Sequence, residues 1–149
     1  MTEAELTRVL IGGAIGGAML SLLAFLLSRF IKDTVGRTAL VTGLFAAAGA
    51  YFGFAIVGSG PRIWILIELL QVIVFGAMGL HGWKGSPKWL ALGWALHPIW
   101  DFVLHNLGPG RTFAPLAYTI SCITFDWVVA AYILIYYRGA SRLTRNPAR

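Results

Sequence analysis

Long apolar runs alternate with short polar breaks along the whole chain. The runs cover residues 6–30, 38–57, 63–83, 89–106 and 113–137, and the breaks read "SRFIKDTVGR", "GSGPR", "KGSPK" and "LGPGR". A helix rises ~1.5 Å per residue and needs about 20 residues to cross a bilayer core. The pattern therefore predicts five membrane-spanning helices, the fourth of them short, with glycine and proline ending each one. The expected fold class is all-α, a polytopic membrane protein whose five helices form one bundle over residues 1–149. The opening "MTEAELTR" is acidic, and the apolar run behind it exceeds a signal-peptide core, so it reads as a retained first span.

Composition agrees with the pattern. Of 149 residues, 58% are hydrophobic and 12% charged, about half the charged share of a soluble domain. The formal net charge of +6 is not a nucleic-acid patch, because the basic residues flank the apolar runs. If the spans alternate in direction, one side holds Arg29, Lys32, Arg37, Lys84, Lys88, Arg138, Arg142, Arg145 and Arg149, the other only Arg8, Arg62 and Arg111. That bias predicts a cytoplasmic C-terminus with a basic tail over 138–149, an external N-terminus, and residence in the plasma (bacterial inner) membrane among its lipids. The single Cys122 excludes an internal disulfide.

The first span contains "IGGAIGGA", which gives Gly12/Gly16 and Gly13/Gly17 the small-xxx-small spacing that lets helices approach closely. Packing of the first two helices on each other explains it most simply. A homo-oligomer seam through the same glycines is the alternative.

Three acids lie inside apolar runs: Glu68 in the third, Asp101 in the fourth and Asp126 in the fifth. Each costs about 2.5 kcal/mol or more at mid-bilayer, so such groups face a bundle interior and mark function. From the external helix ends, Glu68 and Asp101 lie roughly 8–9 Å deep, His97 and Gln71 roughly 14 Å, and Asp126 roughly 20 Å, with His105 at the rim. His81 lies near the opposite end and reads as interfacial. On a regular helix His97, Asp101 and His105 form one stripe, drifting about 40° per step. Glu68 with Gln71, and Thr119 and Cys122 with Asp126, form stripes on the neighbouring spans. The expected result is a polar pocket in the outer half of the membrane, open to the external side and closed below by Trp94.

Imidazole and carboxylate at i,i+4 aim two donors at one ion, and this donor set suits zinc, iron or manganese. His97 and His105 are roughly 12 Å apart along a regular helix and cannot share one ion. Either one pair binds, completed by Glu68 or Asp126, or Asp101 bridges two ions. The candidate metal ligands are His97, Asp101 and His105. Glu68 and Asp126 are the candidate catalytic groups, as a further ligand or general base, and Gln71, Trp94, Thr119 and Cys122 line the pocket.

The stretch from "GLHGW" through "HPIWDFVLHN" to "SCITFDWVVAAYIL" resembles an uncharacterised family of small bacterial integral membrane proteins. Its fourth helix carries H-x-x-x-D-x-x-x-H and its last helix a cysteine four residues before an aspartate; here these are His97, Asp101, His105, Cys122 and Asp126. The resemblance covers roughly the C-terminal half and implies no particular activity. The reading that follows is a metal-dependent enzyme or binding protein acting on a lipidic molecule, with a proton- or ion-conducting or accessory subunit as the alternative.

Overall fold

A computed structural model describes the backbone of residues 1–145 and the side chains of residues 1–137. Five helices are present: α1 (Glu3–Phe30), α2 (Asp33–Val57), α3 (Ile63–Lys84), α4 (Pro87–Asp101) and α5 (Leu116–Arg145). α4 passes directly into a π-helical segment, Phe102–Leu107, and a short 3-10 turn, Pro109–Thr112, leads towards α5. Among the described residues there is no strand. The expected tail falls on residues whose side chains lie outside the described ones.

The helices start where local chemistry permits rather than where hydropathy rises. α1 begins early because Thr2 and Glu5 form a reciprocal capping box, Glu5 N–H donating to Thr2 Oγ1 at 3.2 Å and Thr2 N–H to Glu5 Oε2 at 2.7 Å. α2 begins at Asp33, five residues before the apolar run. The acid favours the helix N-terminus and pairs one turn on with Arg37 at 2.9 Å. α5 starts three residues later than its apolar run, because Pro115 holds the preceding backbone away from helical geometry.

α1, α2, α3 and residues Leu116–Tyr137 of α5 are each long and apolar enough to cross a membrane. α4 is different. Its 15 residues give only about 22 Å of α-helix, and the π segment extends it. Pro98 sits inside α4 and cannot donate to the Trp94 carbonyl, which weakens the α-helical ladder shortly before it widens.

Each helix packs on its neighbours in sequence, and α5 closes the ring against α1. The closure explains the glycine-rich segment. A Cβ at Gly13 would meet the Ser121 carbonyl oxygen and Thr124 Oγ1, and one at Gly17 the Phe125 carbonyl oxygen. Gly13 and Gly17 therefore serve the α1–α5 contact, where Thr124 Oγ1 also donates to the Leu10 carbonyl at 2.7 Å. This corrects the expected α1–α2 packing: the glycine repeat fits either neighbour, and ring closure selects α5. Gly36 makes the close α1–α2 approach instead, against Ser28 and the Ala24 carbonyl. Gly12 faces open space.

The interior divides along the bundle. Towards the α1–α2 and α3–α4 connections it is apolar, with Leu40, Leu44, Leu90, Trp94, Val129 and Ile133 almost wholly buried. Towards the α2–α3 connection and the π segment it is polar.

Candidate metal centre

Successive turns of three helices build the polar half. α3 contributes Glu68 and Gln71, α4 His97 and Asp101, the π segment His105, and α5 Thr119 and Asp126. All seven are 0% exposed. The expected pocket open to the external side is therefore a sealed cluster. Tyr51 of α2 closes it, with its ring stacked on His105 at 4.2 Å and 6.1 Å from the His97 ring. Trp64 and Phe113 pack around His105 from the end nearest the α2–α3 connection, and Gly110 is close enough that a Cβ there would meet His105 Cδ2 at 2.6 Å.

The cluster has two centres. In the first, His97 Nδ1 lies 2.8 Å from Asp126 Oδ2 and 3.2 Å from Asp101 Oδ2. One donor atom from each of the three falls within 4.8 Å of the others, so His97, Asp101 and Asp126 form a group that could hold a metal ion. In the second, His105 Nε2 lies 2.9 Å from Glu68 Oε1. Gln71, three residues from Glu68 on α3, donates from Nε2 to Asp101 Oδ1 at 2.9 Å.

Those distances suit direct hydrogen bonds and, equally, neighbouring donors on one cation. Donors on one ion with ~2.1 Å bonds stand about 3.0 Å apart at octahedral corners and about 3.4 Å apart at tetrahedral ones. An imidazole nitrogen carries one proton and serves one acceptor well, yet Nδ1 of His97 faces two carboxylates. The approach of Asp101 Oδ2 lacks hydrogen-bond geometry. That atom is buried without a hydrogen-bond partner among the described residues, as are Asp126 Oδ1, Glu68 Oε2 and Gln71 Oε1. Two acids facing one buried nitrogen are relieved by a proton, on the imidazole or on one of the acids, or by a cation between them. A divalent ion with two carboxylates and a neutral imidazole sums to zero.

The structure brings together most of the residues expected from sequence, in one of the groupings the spacing allowed, the His97–Asp101 pair beside an acid of a neighbouring helix. Asp126 joins His97 and Asp101. His105 leaves that stripe, because the π segment turns through a smaller angle per residue than an α-helix and directs it to Glu68. Cys122 and Thr119 lie on the inward face of α5, and Thr119 Oγ1 accepts from the Tyr51 hydroxyl at 3.3 Å. Trp94 belongs to the apolar core beneath, its ring 5.8 Å from Phe125. His81 is exposed, with Nδ1 3.1 Å from the Ala77 carbonyl, and takes no part.

Tyr51 is the residue that sequence reasoning missed. It lies six residues from the end of α2, roughly the depth of Glu68. A tyrosine there resembles an ordinary interfacial aromatic, and only its depth marks it.

No curated protein and no solved structure matches the chain. One family does, and over far more than the C-terminal half in which the motif is concentrated: the match spans residues 12–141, and the chain belongs to DUF6010, a family of unknown function.

Proposed function

We propose that this chain is a metal-dependent membrane enzyme, or a metal-dependent binding protein, acting on a lipidic molecule. His97, Asp101 and Asp126 hold a divalent ion, and one imidazole with two carboxylates suits manganese, iron(II) or zinc. The observation that carries this reading is the sealed approach of two carboxylates to one imidazole nitrogen. Bound there, the ion would supply Lewis-acid polarisation of an oxygen ligand and acidify bound water. With Asp126 engaged as a ligand, Glu68 is the remaining acid beside it.

Support for a lipidic substrate comes from a cleft of about 500 Å³ between α3 and α4, lined by Val74, Phe75, Met78, Leu96, Ile99, Trp100, Val103 and Leu104. It carries no charged side chain. Phe75 separates it from the metal group, with its ring centred 5.0 Å from the His97 ring. A hydrocarbon chain in this cleft would place its polar end one side chain away from the centre. The lysine and arginine bias supports an external N-terminus and an inner-membrane location, with the centre in the outer half. A homo-oligomer would use the open surface at Gly12 rather than Gly13 and Gly17.

A second reading, a proton-conducting subunit, is favoured by the buried series Gln71–Asp101–His97–Asp126, hydrogen-bonded at its two ends and joined in the middle by the 3.2 Å approach of Asp101 to His97. Elemental analysis separates the two. The wild type purified without chelator should retain a transition metal that His97→Ala and Asp101→Ala lose while remaining folded. A metal-free wild type would remove the metal reading, and proton flux into liposomes would then be the measurement to make.

A further inference from the structure

The Glu68–His105 centre is not absorbed by a single ion at the first group. We propose that it binds a second divalent cation, with Asp101 as the carboxylate shared between the two. This rests on the metal reading of His97, Asp101 and Asp126 and extends it to a two-ion centre.

Asp101 carries the argument. Its two oxygens point to different walls: Oδ2 approaches His97 Nδ1 at 3.2 Å, whereas Oδ1 accepts from Gln71 on α3 at 2.9 Å. Gln71 and Glu68 are three residues apart and share one helix face, so Oδ1 faces the wall that carries Glu68. Opposite, the π segment brings His105 Nε2 to 2.9 Å from Glu68 Oε1, a spacing that also suits neighbouring donors on one ion. Glu68 Oε2 and Gln71 Oε1 are buried oxygen donors without a partner among the described residues. Tyr51 lies between the two imidazoles, its ring centre 4.2 Å from that of His105 and 6.1 Å from that of His97.

Two-ion sites in helical bundles draw carboxylates and imidazoles from facing helices, often with a Glu-x-x-His pair, and hold ions about 3.5–4 Å apart through shared carboxylates. α3 carries Glu68-x-x-Gln71, a related pair with an amide in place of the imidazole, and α4 with its π segment carries one residue for each ion on either side of Asp101. Charge is compatible as well. Three carboxylates with one divalent ion leave a net negative charge in a sealed site, and a second ion leaves a single positive charge that one hydroxide cancels. Such a centre can hold both oxygens of a displacement at a substrate, which a single ion cannot.

The test is stoichiometry and magnetic coupling. The purified full-length chain in detergent is loaded with Mn²⁺ under anaerobic conditions, freed of excess, counted by mass spectrometry and examined by electron paramagnetic resonance. The wild type should carry two ions per chain with an exchange-coupled signal. Glu68→Gln should fall to one ion with the six-line spectrum of isolated Mn²⁺, and His105→Gln should do the same if Glu68→Gln does not fold. One uncoupled ion in the wild type overturns the second site and leaves the first intact. Two ions retained in both folded variants also overturn it, and a wild type that binds no ion removes both proposals.

Discussion

The two halves of the bundle interior are equally well buried and differ in what burial achieves. In the apolar half, Leu40, Leu44, Leu90, Trp94, Val129 and Ile133 interdigitate, and close packing stabilises the assembled helices. In the polar half, Glu68, Gln71, His97, Asp101 and Asp126 are just as inaccessible, yet each has a side-chain atom without a hydrogen-bond partner among the described residues. Unpaired buried polar groups cost about 1–3 kcal/mol each. The apolar half has such atoms too, on Trp94, Tyr132 and Tyr137, but there they are single N–H or hydroxyl groups, whereas the polar half gathers acids, an amide and an imidazole around one another. The contrast separates a half that packs apolar side chains from a half that gathers Glu68, Asp101 and Asp126.

The largest expected effect lies in the apolar half. Trp94 is the largest wholly buried side chain, so Trp94→Ala should cost about 3–5 kcal/mol through lost contacts and a residual cavity. Thermal unfolding in detergent would show it as a large drop in midpoint, and metal content per folded molecule should stay at the wild-type level. Loss of metal from Trp94→Ala that remains folded would break the division between the halves.

A smaller effect tests the ring that encloses both. Gly17→Ala places a methyl group against the Phe125 backbone carbonyl, which has no flexible end to move aside. The expected cost is about 1–3 kcal/mol, typical of overpacking. Gly12→Ala adds the same methyl group with nothing within 4 Å and should change stability by no more than about 0.5 kcal/mol. Equal effects from the two would mean that Gly12 also meets a neighbour, and a second copy of the chain would be the first candidate.

The same pair shows what the sequence could and could not reveal. Four of the five helices were legible because apolar length against bilayer thickness leaves few alternatives, and the short α4 was legible from the glycine and proline breaks on either side of it. Glu68, Asp101 and Asp126 were legible because a carboxylate in an apolar run is costly wherever the run packs. Which glycine pair meets which helix was not legible, since Gly12/Gly16 and Gly13/Gly17 have identical spacing and differ only in azimuth. The pairing of His105 with Glu68 was hidden for a related reason. Regular helical angles place it in line with His97 and Asp101, and no residue type between 102 and 107 announces a π turn. Tyr51 was hidden by its ordinary chemistry. Spacing along one helix fixes relative direction, but only the packed bundle fixes what lies opposite.

A similarly small change in stability is the most informative about the polar half. Asp126→Asn keeps an oxygen that can face His97 and removes one of two charges crowded on Nδ1. In metal-free protein the change relieves repulsion between Asp101 and Asp126, so thermal stability should hold or rise by up to about 1 kcal/mol. With metal supplied, the wild type should gain stability from binding, because an ion that binds only the folded state raises its apparent stability by mass action. Asp126→Asn should gain little. If the polar half were instead a structural network, removing this partner would cost about 3–5 kcal/mol, as breaking a buried charged pair does, with or without metal. The sign of the metal-free shift therefore decides whether Asp126 holds the bundle together or holds an ion within it.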